Sequence, residues 1–212
     1  MASPIKLSHL VLQTNKPHEL REWYCKVLGA EIVHENEFIS FISYDDEHHR
    51  VAFLNPGALA PREPGERERG DFRAGKESGL HHMAFTFKSL GELLDTYSRL
   101  KEIGIRPYWC INHGPTTSMY YRDPDNNQVE LLIDNFDDVR DGKVYMQTEA
   151  FAKNPIGVEF EPDSFIARLR AGISAQQLVR GGRITCLHAV DPVVQVRRAQ
   201  GIVEHGDSVA AG

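Results

Sequence analysis

The chain has 212 residues, of which 41% are hydrophobic and 25% charged, with a formal net charge of −6. This composition is typical of a folded globular protein, and the acidic balance argues against a nucleic-acid partner, which would select a surplus of Lys and Arg. The sequence shows neither a membrane-spanning apolar run nor a secretory signal pattern. Its three cysteines are widely spaced and predict no disulfide scaffold or structural zinc site, so a cytoplasmic protein is expected.

Residues 1–54 are predicted to form a first module. KLSHLVLQT is a short run of β character, and residues 17–28 carry apolar residues at helical spacing before Gly29. Three further strand-like runs follow in the order EIVHE, EFISFISYD and RVAFLNP. The predicted order is therefore βαβββ.

Residues 55–79 interrupt this pattern with Pro, Gly and charged residues, which predicts a linker or a flap. Residues 80–134 then form a second predicted module. HHMAFTF precedes a helix over 89–103, for which Ser89 and Glu92 form a capping box. RPYWCI, TTSMYYRD and NQVELLI complete a second βαβββ unit, with a turn predicted at DPDNN.

The two modules are related by an internal repeat. LSHLVLQTNKPHELREWY at 7–24 aligns without a gap with LHHMAFTFKSLGELLDTY at 80–97, which pairs His9 with His82. YDDEHHRVAFL aligns with RDPDNNQVELL, which pairs Ala52 with Glu130. Such a repeat decides how the whole fold is interpreted, because neither unit can bury its apolar sheet face alone.

The predicted fold class is α+β, with two βαβββ modules that form an eight-stranded mixed sheet curled around a metal cavity. Residues 135–212 do not repeat and are predicted to be a helical or irregular C-terminal extension. PDSFIARLRAG predicts a helix capped by Asp163 and ended by Gly172. The sequence leaves open whether this extension packs across the cavity or forms a subunit contact.

Three residues are predicted to bind a metal: His9, His82 and Glu130. The repeat places the two histidines at equivalent positions, and Glu130 is a charged residue within an apolar strand, where a carboxylate needs a metal or a partner. Two histidines and one carboxylate form the facial triad typical of non-haem Fe(II) oxygenases. His81 is the rival to His82, but adjacent strand residues point to opposite faces and the repeat register favours His82. His48 and His49 are expected to be exposed in a turn.

The βαβββ repeat, the histidines of SHLVL and HHMAF, and the run YYRDPDNNQVELL resemble the vicinal-oxygen-chelate superfamily. HGPTTSMYYRDPDNNQVELL at 113–132 looks like the active-site strand pair of type I extradiol catechol dioxygenases. The resemblance implies Fe(II) at the predicted triad, a catechol-type diol and O₂ as substrates, and His113 and Tyr120 as hydrogen-bonding partners of the catecholate oxygens. It also implies association into a homo-oligomer.

Other functions on the same scaffold stay open. They include another metal-dependent enzyme of the superfamily, such as an isomerase, lyase or resistance enzyme, and a binding protein that sequesters a ligand. The resembled two-domain dioxygenases have an additional acid–base histidine before the second iron ligand, whereas residues 55–80 contain no histidine. Either His113 or a histidine from elsewhere in the chain would then transfer protons, or the chemistry differs.

Overall fold

The computed structural model describes residues 2–57, 59–60 and 79–181. Most of the predicted linker or flap at 55–79, and the extension beyond residue 181, therefore lie outside the described residues. Within the described part, no helix has the length and apolar character needed to cross a membrane. The chain divides into two compact units, and each unit contains part of the second βαβββ module.

The first module forms a four-stranded sheet. Strand β1 (Leu10–Gln13) leads into helix α1 (Pro17–Leu28), and strands β2 (Glu31–Glu35), β3 (Ile39–Ser43) and β4 (Val51–Leu54) follow. The spatial order is β1-β4-β3-β2, with β1 parallel to β4 and the other pairs antiparallel. The predicted helix at 17–28 is confirmed, and it ends at Gly29, which adopts a left-handed conformation.

Helix α1 packs because its apolar residues recur every three or four positions. Leu20, Tyr24 and Val27 are fully buried, and the Tyr24 ring lies 5.3 Å from that of Phe53 on β4. The Tyr24 hydroxyl donates a hydrogen bond of 3.0 Å to Asp123 in the predicted DPDNN turn. This turn belongs to the same compact unit as α1.

The second module supplies four strands of a five-stranded sheet. Strand β5 (Met83–Thr86) leads into helix α2 (Leu90–Glu102), and strands β6 (Trp109–Asn112), β7 (Thr116–Arg122) and β8 (Gln128–Asp134) follow. The spatial order is β5-β8-β7-β6-β9. Ser89 caps α2 as predicted, because its hydroxyl accepts a hydrogen bond from the backbone N–H of Glu92. The Glu92 carboxylate accepts from the N–H of Lys88, one residue earlier than a capping box requires.

The structure describes the C-terminal extension through residue 181. It contains helices α3 (Val139–Tyr145) and α4 (Glu149–Lys153), strand β9 (Val158–Glu159), and helices α5 (Pro162–Arg170) and α6 (Ala175–Gly181). Asp163 was predicted to cap α5, but the N-cap is Glu161, and the Asp163 carboxylate instead accepts a hydrogen bond from the Tyr97 hydroxyl. The reason is Pro162, which takes the first helical position, so that the helix begins earlier in the chain than predicted.

The α+β class and both βαβββ modules are confirmed. The strands, however, form sheets of four and five strands, whereas the sequence predicted one sheet of eight. The difference arises because each module pairs its first strand with its own fourth strand, and because β9 of the extension adds a ninth strand beside β6. The predicted metal cavity stays a prediction.

Candidate active site

His9 lies immediately before β1, although the sequence placed it within that strand. Its side chain is exposed, and its ring centroid lies 4.4 Å from that of His49. The prediction that His49 is exposed is wrong, since it is partly buried between His9 and Phe41. Burial lowers the pKa of His49, and electrostatic interaction with the neighbouring His9 and His48 lowers it further.

Arg50 holds the backbone that leads to His9. Its guanidinium donates hydrogen bonds to the carbonyl oxygens of Leu7 at 2.8 Å and Ser8 at 2.9 Å. Asp45 accepts two further hydrogen bonds from Arg50, which keep the pKa of the Asp45 carboxyl below its usual value. The position of His9 therefore depends on the loop between β3 and β4, which no local sequence pattern indicated.

His82 lies immediately before β5, although the sequence placed it, like His9, within the strand. His81 and His82 are both half-buried, and their Nδ1 atoms are 2.7 Å apart. The expectation that adjacent residues point to opposite faces does not apply here, because neither residue belongs to the strand. The His81 carbonyl accepts a hydrogen bond of 2.8 Å from Gln128 Nε2, which fixes the backbone of this pair. The preference for His82 over His81 therefore gains no support from strand geometry and rests on the repeat register and on the His-x-x-Phe pattern of the resembled family.

Glu130 lies in the middle of β8 with 4% of its surface exposed. Val129 and Leu131 on either side are fully buried, and the matching residue of the first module, Ala52, is also buried. The Tyr120 hydroxyl hydrogen-bonds the Glu130 carboxylate. Burial raises the pKa of Tyr120 well above its ordinary value, and the negative charge of Glu130 raises it further. Burial therefore favours the protonated form of Tyr120, which can donate a hydrogen bond.

His113 and Tyr120, which the resemblance implied as hydrogen-bonding partners of the catecholate oxygens, contact each other. His113 follows β6, and its Nε2 atom lies 2.9 Å from the Tyr120 hydroxyl. Trp109 stacks on Tyr120 with ring centroids 5.0 Å apart. Because Tyr120 also contacts Glu130, these side chains form a continuous polar chain from His113 to a predicted metal ligand.

A buried amide network fixes the hairpin that carries His113. Asn135 Nδ2 donates to Asn112 Oδ1 at 3.0 Å and to the Gly114 carbonyl at 2.9 Å, and its own oxygen accepts from Thr117. Asn112 donates in turn to the carbonyl of Val179 on α6. Buried polar groups that satisfy one another in this way favour a single conformation. No local sequence pattern indicates this network, because it joins residues that are distant in the chain.

The C-terminal extension lines a pocket of about 440 Å³ beside His113. The lining from the extension is mostly apolar and includes Phe136, Val139, Met146 and Phe151. Thr116 and Asp134 also line the pocket, and alternation along β7 and β8 places them on the same sheet face as Tyr120 and Glu130. The volume lies within the range of about 300–1,000 Å³ that is usual for small-molecule sites.

The predicted metal ligands are distributed over the two compact units. His9 and His82 belong to the first unit, whereas Glu130 belongs to the second, together with His113 and Tyr120. Across residues 2–57, 59–60 and 79–181, no three His, Cys, Asp or Glu side chains gather into a metal-binding group. The triad therefore stays a prediction, and the interacting group that the structure contains is His113, Tyr120 and Glu130.

Comparison with known proteins assigns the chain to a family. A model described as Glyoxalase/Bleomycin resistance protein/Dioxygenase superfamily matches residues 6–131. Biphenyl-2,3-diol 1,2-dioxygenase 2 of Rhodococcus globerulus is 45% identical over 84% of this chain and 88% of its own length. Biphenyl-2,3-diol 1,2-dioxygenase 3 of the same organism is 42% identical over 82% and 86%.

Solved structures with similar folds include a lactoylglutathione lyase from Agrobacterium tumefaciens, with 18% identity, a TM-score of 0.46 and coverage of 62% of this chain and 96% of that one. A glyoxylase/bleomycin resistance protein/dioxygenase domain from Frankia sp. EAN1pec has 18% identity, a TM-score of 0.47 and coverage of 62% and 93%. The family match over more than half of the chain, together with the two close relatives, confirms the resemblance inferred from the sequence. The chain belongs to the Glyoxalase/Bleomycin resistance protein/Dioxygenase superfamily.

Proposed function

We propose that this protein is an Fe(II)-dependent extradiol dioxygenase that opens the ring of biphenyl-2,3-diol or a similar catechol. The observation that carries the proposal is the 45% identity, over most of both chains, with a protein named biphenyl-2,3-diol 1,2-dioxygenase. That name specifies cleavage of the bond between ring carbons 1 and 2, while the hydroxyls are on carbons 2 and 3. The broken bond is therefore next to the diol and not between its two oxygens.

We further propose that His9, His82 and Glu130 hold the iron. Two imidazoles and one carboxylate are the donor set that non-haem Fe(II) prefers, and this set leaves positions open for other ligands. The burial of Glu130 supports the assignment, since a carboxylate at 4% exposure requires compensation by positive charge or hydrogen bonds. When bound, iron supplies the Lewis acidity and one-electron chemistry that the side chains of the protein lack.

His113 and Tyr120 would act on the substrate by proton transfer and hydrogen bonding. With iron on Glu130, the Tyr120 hydroxyl would donate its one proton to a catecholate oxygen in place of that carboxylate and stabilise the negative charge of the oxygen. His113 Nε2, at 2.9 Å from that hydroxyl, would accept a proton from the diol as it binds. This assigns to His113 the proton transfer that residues 55–80 cannot provide, since they contain no histidine.

The pocket beside His113 supports a substrate with an apolar substituent. Its aromatic and aliphatic lining, exemplified by Phe136, Met146 and Phe151, would bury the ring of a biphenyl diol that does not react. An unsubstituted catechol would leave this surface unfilled. We therefore expect kcat/KM to be higher for biphenyl-2,3-diol than for catechol, and Met146→Asp to reduce that preference.

The test is oxygen uptake by the anaerobically purified, iron-loaded protein with biphenyl-2,3-diol. We expect one O₂ consumed per diol, a yellow ring-fission product, and about one iron per chain. Glu130→Gln should lose iron and activity, whereas the control Glu149→Gln, at an exposed ion pair with Lys153, should retain both. If the iron-loaded protein consumed no O₂ with any catechol, the proposed reaction would be wrong.

A further inference from the structure

We propose that residues 154–159 of the C-terminal extension fix the tautomer of His113, so that Nε2 is the ring nitrogen that exchanges protons. Ile156 and Gly157 are thereby positioning residues, acting on the reaction through His113. The catalytic meaning of this inference rests on the proposed function, but the tautomer itself can be measured without any activity. Residues 154–159 lie outside the region 6–131 that the family model matches, whereas His113 lies within it.

Each nitrogen of the His113 ring has a different partner. Nδ1 lies 2.5 Å from the carbonyl oxygen of Ile156, and Nε2 lies 2.9 Å from the Tyr120 hydroxyl. A carbonyl oxygen only accepts hydrogen bonds, so Nδ1 must carry a proton. The one proton of the Tyr120 hydroxyl can bond either Nε2 or the Glu130 carboxylate, and in a neutral His113 ring with its proton on Nδ1 it is Nε2 that accepts it. The hydrogen bond at one nitrogen thus decides the state of the other.

Pairing with β6 holds residues 154–159 in place. Strand β9 is antiparallel to β6, with Asn112 opposite Val158 and Ile111 opposite Glu159. Trp109 Nε1 donates to the Glu159 carboxylate at 2.8 Å, which ties the far end of β9 to the same strand. The Ile156 carbonyl is therefore presented by a segment fixed to the strand that precedes His113.

Gly157 permits residues 154–159 to lie close to the backbone of Asn112 and His113. Its φ is +106°, which side-chain-bearing residues rarely adopt, and a Cβ atom there would lie 2.0 Å from the Asn112 carbonyl oxygen and 2.7 Å from His113 Cα. Asn154 bonds the backbone of Gly157 on both sides, accepting from its N–H and donating to its carbonyl. A side chain at position 157 would clash with the backbone of Asn112 and His113, and we expect the resulting displacement to lengthen the contact between the Ile156 carbonyl and His113.

The tautomer matters because only an unprotonated nitrogen can take a proton. With the proton on Nδ1, the substrate O–H bond breaks, an Nε2–H bond forms, and the ring becomes an imidazolium whose Nδ1–H still bonds the Ile156 carbonyl. In the opposite tautomer Nε2 already carries hydrogen and cannot accept. Residues 154–159 would therefore keep His113 in the state required of a general base.

The first test is ¹⁵N NMR of the imidazole rings in the full-length chain without added iron, with the His113 signals assigned by comparison with His113→Gln. We expect the neutral His113 ring to carry its proton on Nδ1. A ring protonated on Nε2, or an even mixture of tautomers, would overturn the proposal. Because this measurement needs no substrate, its outcome is independent of whether the protein opens catechol rings.

The second test compares Gly157→Ala with Gly172→Ala. Gly172 has a similar φ of +88°, but a Cβ there would meet nothing within 4 Å. Both variants thus strain the backbone, and only Gly157→Ala displaces residues 154–159. We expect Gly157→Ala to mix the tautomers, lower kcat by about tenfold or more at unchanged KM, and shift the acid limb of its pH profile.

Gly172→Ala should match the wild type in tautomer and pH profile. Asn154→Ala offers a milder change that keeps glycine at 157, and it should alter the spectrum and profile in the same direction as Gly157→Ala. Retention of the wild-type tautomer and pH profile in Asn154→Ala and in any folded Gly157→Ala protein would refute the role assigned to this segment.

Discussion

Replacing Tyr120 with phenylalanine removes one oxygen atom from the centre of the polar chain in the second sheet. That hydroxyl lies 2.9 Å from His113 Nε2 and hydrogen-bonds the carboxylate of Glu130. The phenyl ring that remains keeps the stacking on Trp109, so the packing of this region should change little. The variant therefore isolates the contribution of one hydroxyl to the proposed chemistry.

The expected magnitude follows from the charge of the group that the hydroxyl would serve. A hydrogen bond to a charged group contributes roughly 1.5–3 kcal/mol, and a developing catecholate oxygen is such a group. If this contribution is lost only in the transition state, kcat falls by roughly 10- to 150-fold, at about 1.36 kcal/mol per factor of ten. KM for the diol should change much less, because the ground-state diol is not yet fully ionised.

The assay is initial-rate oxygen uptake on iron-loaded Tyr120→Phe, with the iron content measured on the same sample. Tyr108→Phe is the control, since it removes a hydroxyl from a half-buried ring that packs against the same cluster. We expect the control to retain wild-type kcat. A fall of less than about threefold in Tyr120→Phe, equivalent to under about 0.7 kcal/mol, would refute the reasoning. So would a loss of activity fully explained by lost iron.

Three further outcomes are expected. His82→Ala should lose iron while His81→Ala retains it, and the reverse result in a metal analysis would place the ligand one residue earlier. Arg50→Ala should weaken iron retention, because it releases the backbone before His9. Arg50→Lys should restore part of the iron affinity, and equal affinity in the wild type and both variants would exclude this anchoring. Burial raises the pKa of Asp123, so its contribution to stability is greatest below the unfolded pKa of about 3.9 and declines as the pH rises through the folded value. Urea denaturation should therefore show a larger destabilisation by Asp123→Asn near pH 4 than near pH 7, and a gap that widened with pH would contradict this sign.

The secondary structure of residues 7–134 was largely predictable because its signals are local. Apolar spacing predicted α1, and Ser89 predicted the start of α2. The turn at Asp123 was predictable because its carboxylate accepts backbone hydrogen bonds from Asp125 and Asn127 a few residues away. The repeat then predicted how the strands are grouped into two modules, although β1 and β5 each begin one residue after the histidine that the sequence placed within the strand.

The remainder depends on contacts between distant parts of the chain. The contact between His113 and Tyr120 was expected from the family resemblance, but its support by Asn135 and Ile156 was not. No pattern in residues 135–181 indicates which carbonyl a side chain will meet 43 residues away. The turn-forming run of Asn, Pro, Ile and Gly at 154–157 was the one available signal, and it indicates a turn without indicating its partner.

Strand β9 also has a consequence for solubility. It covers the hydrogen-bonding edge that β6 would otherwise present to other molecules, and such open edges promote aggregation between chains. The edge strand β2 of the first sheet is protected differently, by a pairing irregularity between Ile32 and His34 and by the charges of Glu31 and Glu35. A chain shortened before β9 would therefore be expected to aggregate even if both βαβββ modules folded correctly, and the extension would then be needed to keep the protein dispersed.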